Sequence, residues 1–495
     1  RASKLSFLQA GTDAVYRTVQ DKLRERVSVK DFGAKGDGVT DDTAAINAAL
    51  IAVNAMGAVS LHFPAGVYLY RGGGWLGNGV VVHGDGRNAT KIVSLQAVPA
   101  DGYLFDCRGY GSGVRAMAFY PGTTQTGGSY VWLKAPETFI DDFFMTGDFN
   151  GVLMTGNVSR IRHGRFQDGA PNAIRIRAEG GDNSQLIDDV LMGAQLPQVS
   201  YAGIRVRNSA ALIISNTSVI QQGHGLLIDP YSNVTGTPTD NTDSGDVFSL
   251  YANNCFFDHS SGNGLRIAPT GTGSVVRCRF ANCWFGSSSG DGVYINNAGA
   301  GTVQGIHFDS CHFALSGGAG LTTGGVVSDI QVIGGWMCGN TYGAFFGGST
   351  SKITMQGCTV GAGAGLPGNS QFGVVLESGC DNIVITGNQM LGNSVGAISD
   401  NSGVSANKRI VGNIGYSTSN SGTVPIAAGV TTAVVAHGLP VAPRPHEVIL
   451  SYGSGNAGAV DLYVNNITAT EFTVNVFPAP SAPISVNWAA RCSGA

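Results

Sequence analysis

Four side chains in the middle of the chain are of the types that move protons: Glu179, His224, Asp229 and Asp246. Glycoside hydrolysis usually takes two carboxyl groups, about 5–5.5 Å apart for retention or about 6.5–9.5 Å for inversion. Among them run two Arg-x-Arg pairs, Arg175/Arg177 and Arg205/Arg207, followed later by Arg266. Guanidinium groups hold carboxylates by paired, charge-assisted hydrogen bonds. His224 and Tyr294 offer a second chemistry, an acid–base pair for β-elimination, with Arg266 neutralising a uronate carboxylate. Asp229 also opens the most polar insertion of the chain, 229–246, which carries Asp240 and Asp243. Long loops on a rigid framework often carry function. The loop's spacing is not that of a calcium-binding EF-hand, and no metal site is expected. Each of these residues has a plainer reading. The aspartates can form turns or be solvated, as Asp142 and Asp189 are expected to be. His224 can be a turn histidine, as can His259 beside Asp258. The arginines can pair with Glu179, Asp182, Asp188 or Asp189, or with another copy of the chain. A row of Phe256, Trp284, His312 and Trp336 can stack sugar rings or be covered by a second copy.

The frame that must position these groups is written twice between residues 254 and 295. Asn254-Cys255-Phe256-Phe257 leads to Gly264-Leu265-Arg266-Ile267, and Asn282-Cys283-Trp284-Phe285 leads to Gly292-Val293-Tyr294-Ile295. Each Cys stands nine residues before its Gly, and the two Cys are 28 apart. A fixed period in the twenties means stacked structural units. The same turn-to-glycine spacing recurs at Asp142/Gly151, Asn216/Gly225 and Cys311/Gly320, and looser copies follow to Asn388/Gly396 and Asn413. After each glycine comes a short alternating strand. Its first and third residues must face inward and its middle residue outward. This predicts an outward row of Leu153, Arg175, Arg205, Leu227, Arg266 and Tyr294, with Arg177, Arg207 and Asp229 two residues on. Rungs lie about 4.8 Å apart, so the arginines share one patch. Like charges stacked that closely need a counter-charge, and an acidic polysaccharide would supply one. The recurring cysteines read as small buried ladder residues.

Composition narrows the classes further. Gly is 74 of 495 residues without a Gly-X-Y period, which excludes collagen and suits many short strands joined by tight turns. A net charge of −4 gives no general attraction to nucleic acid. No apolar run approaches the roughly 18–20 residues of a membrane span, and no secretory signal is visible. Nine Cys without paired CxxC spacing argue against both a disulfide framework and zinc. No cofactor is expected. The chain begins at Arg, so a preceding N-terminal part is expected.

The N-terminal region predicts a helix over 13–26 with Val15, Val19 and Leu23 on one face. A strand and a Gly-rich turn then lead to a helix at about 41–55, capped by Thr40 or Asp41 and carrying Ala44, Ile46, Ala49, Leu50 and Val53. The glycines at 33, 36 and 38 do not have phosphate-loop spacing. The stretch Val27-Ser-Val-Lys-Asp-Phe-Gly-Ala-Lys-Gly-Asp-Gly-Val-Thr-Asp-Asp-Thr-Ala-Ala-Ile-Asn-Ala-Ala-Leu50, with Leu61-His-Phe-Pro-Ala-Gly-Val-Tyr-Leu69 after it, closely resembles the opening of the pectate-lyase-like superfamily found in bacteriophage tailspikes. Residues 4–23 resemble the connector that follows a virion-binding domain in podovirus-type tailspikes. The resemblance is strong over residues 4–70; beyond them the repeat carries the argument. It implies an all-β fold: a right-handed single-stranded parallel β-helix with an N-terminal helical neck and cap. It also implies a homotrimer on the virion tail, made in the host cytoplasm, attached through its N-terminal region and cleaving host capsule, exopolysaccharide or O-antigen. Endo-glycosidic hydrolysis is the first expectation. A polysaccharide lyase and a non-enzymatic receptor-binding spike are the alternatives.

A composition break at 417–424 ends the period. Pro-punctuated strands at 432–436, 447–452, 460–464, 471–477 and 484–489 then predict a small C-terminal β-sandwich that trimerises the chain, caps the coil or binds sugar. It loosely resembles trimeric lectin-type tail-fibre modules. The expected domains are thus a neck at 1–30, the β-helix at 31–420 and the C-terminal module at 421–495.

Overall fold

The computed structural model describes residues 2–57, 59–97, 102–124, 127–147, 150–168, 173–180, 184–193, 201–230, 245–403 and 407–492. The chain is a parallel β-solenoid of about 13 turns, followed by small antiparallel sheets. It forms two compact units, Arg1–Gly290 with Asn297–Thr302, and Asp291–Asn296 with Val303–Ala495.

In the first unit the inward positions form continuous apolar stacks. Phe105, Val131, Val152, Ile176, Ile204, Leu226 and Leu265 follow one another in register on successive strands, all fully buried. A second sheet stacks Leu61, Val82, Val114, Ile140, Ile161, Ile187 and Ile214 in the same way. Burying such a side chain stabilises by roughly 1.5–3 kcal/mol, so the hydrophobic ladder sets the register. Sequence corners between sheets sit in left-handed backbone: Asp142, Asp189, Asn216, Asn254 and Asn282 have φ of 47–55°. Asn and Asp tolerate this conformation best among residues with a side chain, which explains the turn position of the repeat. The next residue points inward. All nine cysteines are buried free thiols, and Cys255 and Cys283 donate to backbone carbonyls of their corners.

The rung glycine has a different cause. Gly225 is not in left-handed backbone, but a Cβ there would lie 2.5 Å from the Gly264 carbonyl oxygen and 3.0 Å from Phe257 Cβ. The neighbouring coil leaves no room. Gly225→Ala is therefore expected to lower stability by roughly 1–3 kcal/mol, seen as a lower unfolding midpoint. An unchanged midpoint would show that the coils can separate there at no cost.

The second unit holds its corners with buried asparagine ladders. Asn369 donates to Asn393 at 2.8 Å and Asn388 to Asn413 at 2.9 Å. Two three-stranded antiparallel sheets follow. One orders Ser419–Ile426, Ile484–Arg491 and Val448–Tyr452; the other orders Thr432–Ala436, Glu471–Phe477 and Asp461–Asn465. The expected break at 417–424 is thus mostly strand. Its Ser, Asn and Thr residues lie on an exposed edge, so they carry no apolar alternation, yet the strand pairs along its length with Ile484–Arg491.

The N-terminal helices also differ from expectation. Only Val19–Leu23 is α-helical, started by Thr18, whose hydroxyl accepts the Asp21 N–H. Upstream, Ser6–Phe7 pairs antiparallel with Arg17–Thr18, and Asp13 has φ 63°. A single short helix is marginal, and Val15 and Leu23 are exposed rather than packed. The second helix, Thr43–Met56, is present and buries Ile46, Ala49, Leu50 and Val53 against the first coil, while Ala44 is exposed. Its N-cap is Asp42, not Thr40 or Asp41. The Asp42 carboxylate accepts the Lys35 and Gly36 N–H groups, fastening the Gly-rich turn to the helix start.

Candidate functional site

The sheet that carries the candidate residues includes Ile174–Glu179, Ala202–Ala210, His224–Ile228 and Leu265–Ile267 on consecutive coils. Register places Arg177 beside Arg205, Arg205 beside Leu227, and Leu227 beside Arg266. Asp229 follows the third strand, its N–H donating to Val206 O. At this end of the strands the charged groups interlock. Arg177 grips Glu179 with two bonds, Nε to Oε1 at 3.0 Å and Nη2 to Oε2 at 2.5 Å. Arg205 lies between both acids, its Nε 3.1 Å from Asp229 Oδ1 and its Nη1 3.6 Å from Glu179 Oε1. Arg207 reaches Asp229 Oδ2 at 3.3 Å. Two carboxylates that share one guanidinium lie within the roughly 9.5 Å upper limit of glycosidase pairs.

The two acids are not equivalent. The Glu179 side chain is fully covered, whereas 17 % of Asp229 reaches solvent. Burial pushes the Asp229 carboxyl up to about 7, helped by the Glu179 charge and opposed by Arg207 and Arg266. A carboxyl poised near neutrality can both take and give a proton. Glu179 cannot touch a substrate from its place; it holds Arg177 and Arg205 and adds negative potential at Asp229.

His224 stands at the other end of the same strand. Five steps of extended chain separate it from Asp229, roughly 16 Å, so the two are not neighbours as their sequence numbers suggest. Burial, helped by the Arg266 charge, lowers the His224 imidazole to about 4. Its Nδ1 accepts the Asn263 N–H at 3.2 Å, which leaves the proton of the neutral ring on Nε2. Tyr201 packs edge-on against this ring, centroids 6.0 Å apart. Arg205, Leu227 and Arg266 therefore cross a strip with an imidazole at one end and a titrating carboxyl at the other.

Other expected residues lie elsewhere. Arg175 is not in the row with Arg205. It occupies the rung-glycine place, between Ile174 and Ile176, which pair with Ala202 and Ile204. Its buried guanidinium donates to the Gly147 carbonyl at 2.8 Å. The two-residue displacement preserves alternation, so the pattern alone could not reveal it. Asp246 accepts the Ser274 N–H at 2.7 Å and thereby ties one coil to the next. Trp284 is half-buried, its Nε1 donating to Asp258 at 2.9 Å. Trp336 packs on His312, ring centroids 4.3 Å apart, and Phe256 is exposed. Tyr294 is a half-buried outward residue of Val293–Asn297 in the second unit. Asp182, Asp240 and Asp243 lie outside the described residues.

Two family models match this chain: rhamnogalacturonase A/epimerase, pectate lyase-like, over residues 26–126, and right handed beta helix region, over residues 202–414. Each model matches under half of the chain, which over those stretches is similar to pectate lyase-like and right-handed β-helix proteins. The tail spike protein of an Escherichia phage is 51 % identical over 49 residues, 10 % of this chain and 6 % of that one. The mannuronan C5-epimerase AlgE1 of Azotobacter vinelandii is 59 % identical over 46 residues, 9 % of this chain and 3 % of that one. These matches span only a small part of the curated relatives. A mutant tailspike protein of E. coli bacteriophage HK620, solved in complex with pentasaccharide, has TM-score 0.61 and 11 % identity, covering 99 % of this chain and 98 % of that one. That likeness carries the fold. In this β-helix protein the Arg177–Glu179–Arg205–Asp229–Arg207 cluster is legible in the sequence as residue types on one flank. Tyr201 and Asn263 are not, because nothing in their own spacing marks them as neighbours of His224.

Proposed function

We propose that the chain is a bacteriophage tailspike that binds and depolymerises an acidic surface polysaccharide of its host, with Asp229 moving the proton. The observation that carries this reading is Asp229 itself: a partly exposed carboxyl titrating near neutrality beside Arg205, Arg207 and the charge of Arg266. Arg177, Arg205, Arg207 and Arg266 exceed Glu179 and Asp229 in charge, which favours a substrate carboxylate. The tailspike reading is supported by the short sequence similarity to the Escherichia phage tail spike protein and by the whole-chain fold likeness to the HK620 tailspike. Assembly as a homotrimer and attachment to the virion tail through the N-terminal region belong to the same proposal.

Of the two chemistries, β-elimination fits this site better than two-carboxylate hydrolysis. Hydrolysis by a pair needs a second acid or base at the sugar, and Glu179 is covered and held by Arg177. Elimination needs one base and a neutralised uronate. Asp229 takes the proton from the carbon next to the carboxylate. The bond from the β-carbon to the bridging oxygen breaks, a C=C bond forms, and the departing oxygen is protonated from solvent. The similarity to a mannuronan epimerase points the same way, since epimerisation at C5 begins with the same proton abstraction. The test is incubation with host polysaccharide while reducing ends and absorbance near 232 nm are followed. Both signals rising together are expected. Reducing ends without absorbance would establish hydrolysis, and binding without either signal would leave a receptor-binding spike.

A further inference from the structure

We propose that a second anionic-saccharide site lies on the other sheet, in a cleft formed by Arg115, Arg160 and Arg162 around Phe139. It accepts a sugar carboxylate there, apart from the site that moves the proton. The cleft has a volume of about 230 Å³ and is lined by these four residues with Ile140 and Asp141. The lining is a small grid. Gly113, Phe139 and Arg160 follow one another in register on successive coils, and Arg115, Asp141 and Arg162 do the same two residues further along. Coils lie about 4.8 Å apart, so three guanidinium groups converge within the reach of one sugar residue.

Their charge is only partly offset, because the register alternates Arg115, Asp141, Arg162 and Asp188 but neither carboxylate pairs with an arginine among the described residues. Asp141 stands in register between Arg115 and Arg162, but its carboxylate turns to His163 Nδ1 at 2.6 Å. Asp188, in register on the far side of Arg162, instead accepts Ser215 Oγ at 2.6 Å and Asn216 Nδ2 at 3.0 Å. Among the described residues, Arg115, Arg160 and Arg162 form no ion pair, unlike the arginines of the Asp229 cluster. The positive field is felt nearby: burial first, then the charges of His62 and Arg115, hold His83 below the usual imidazole range. Three guanidinium groups without an ion-pair partner leave an excess of positive charge in the cleft, a cost to the folded chain. A bound carboxylate removes that cost and gains charge-assisted, bidentate bonds.

Phe139 makes the ligand a saccharide rather than a bare anion. Gly113 has no side chain where a Cβ would come within 2.6 Å of the Phe139 ring, so the half-buried ring lies over the glycine. Sugar rings stack on such faces. The class of ligand rests on the polysaccharide reading above, but the test is of binding and does not need turnover. D-glucuronate is titrated into the full chain and followed by saturation-transfer NMR at low and high salt, with D-glucose as the neutral control. Glucuronate is expected to bind, glucose to bind far more weakly, and added salt to weaken the former. Arg160→Gln/Arg162→Gln is expected to weaken glucuronate by about tenfold or more, and Phe139→Leu to weaken it less. Glucuronate held at the Asp229 site is retained in the double variant, so the binding lost there reports the cleft alone, and polysaccharide cleavage followed in parallel separates failure of the cleft from failure of the catalytic reading. Equal glucuronate affinity in wild type and double variant would overturn the proposal. So would unchanged glucuronate binding accompanied by loss of the assembly in sedimentation, which would assign the arginines to contact between copies of the chain.

Discussion

Asp229→Asn is expected to lower polysaccharide cleavage by about 10²–10⁴-fold, the range carried by one general acid or base, with substrate binding and folding retained. Asn keeps a carbonyl oxygen in the Oδ1 place shared by Arg205 and Arg207 and loses the titrating group with its charge. The wild-type pH profile distinguishes the two chemistries by sign. If Asp229 acts as the carboxylate base of elimination, the rate rises with pH through about 7 and then levels. If it acts as the acid of hydrolysis, the rate falls above about 7 as the proton is lost. In either case that inflection disappears in Asp229→Asn. Near-normal turnover in this variant would remove Asp229 from the mechanism.

Arg205→Leu should give the largest loss of stability from a single change in this site. The guanidinium is mostly buried and contacts both Asp229 and Glu179. Removing one partner of a buried ionic network typically costs about 3–5 kcal/mol, because the remaining charges are stranded. The pH dependence follows from Asp229. Its folded carboxyl already titrates above the unfolded range, with burial as the main cause. The folded state therefore holds this proton more tightly than the unfolded chain, and stability declines as pH rises from the unfolded value through the folded one. Without Arg205 the folded carboxyl shifts further up, so the loss should be greater near pH ~8 than near pH ~5. Rates of unfolding in denaturant at the two values measure this directly. Adding Glu179→Gln and Asp229→Asn to Arg205→Leu should recover most of the loss. A loss equal at both pH values, or a triple variant no better than the single one, would mean that Arg205 matters through packing alone.

The repeat is legible in the sequence because packing enforces it. Val152, Ile204, Leu226 and Leu265 must face the core once per coil, Asn216, Asn254 and Asn282 must turn in left-handed backbone, and Gly225 must yield to the next coil. Each constraint selects residue types at a fixed spacing. The N-terminal neck departs from its pattern because Val15 and Leu23 are exposed, so their helical spacing imposes no helix. The strand Ser419–Ile426 escapes the pattern for the converse reason: it is held by backbone pairing on an exposed edge, which asks little of its side chains.

For the site, the sequence by itself determined that Arg177, Arg205, Arg207 and Asp229 face outward on one flank of stacked strands, since alternation is local. Only the tertiary structure decided which of them meet. A two-residue shift between coils keeps every side chain on its expected face, yet it removes Arg175 from the row and puts Arg177 against Arg205. Burial is likewise a property of the stack. It separates a covered Glu179 from a titrating Asp229, while the extended strand sets His224 and Asp229 at opposite ends although few positions part them in sequence. Inter-coil register and desolvation arise from contacts between distant parts of the chain, and local spacing does not encode them.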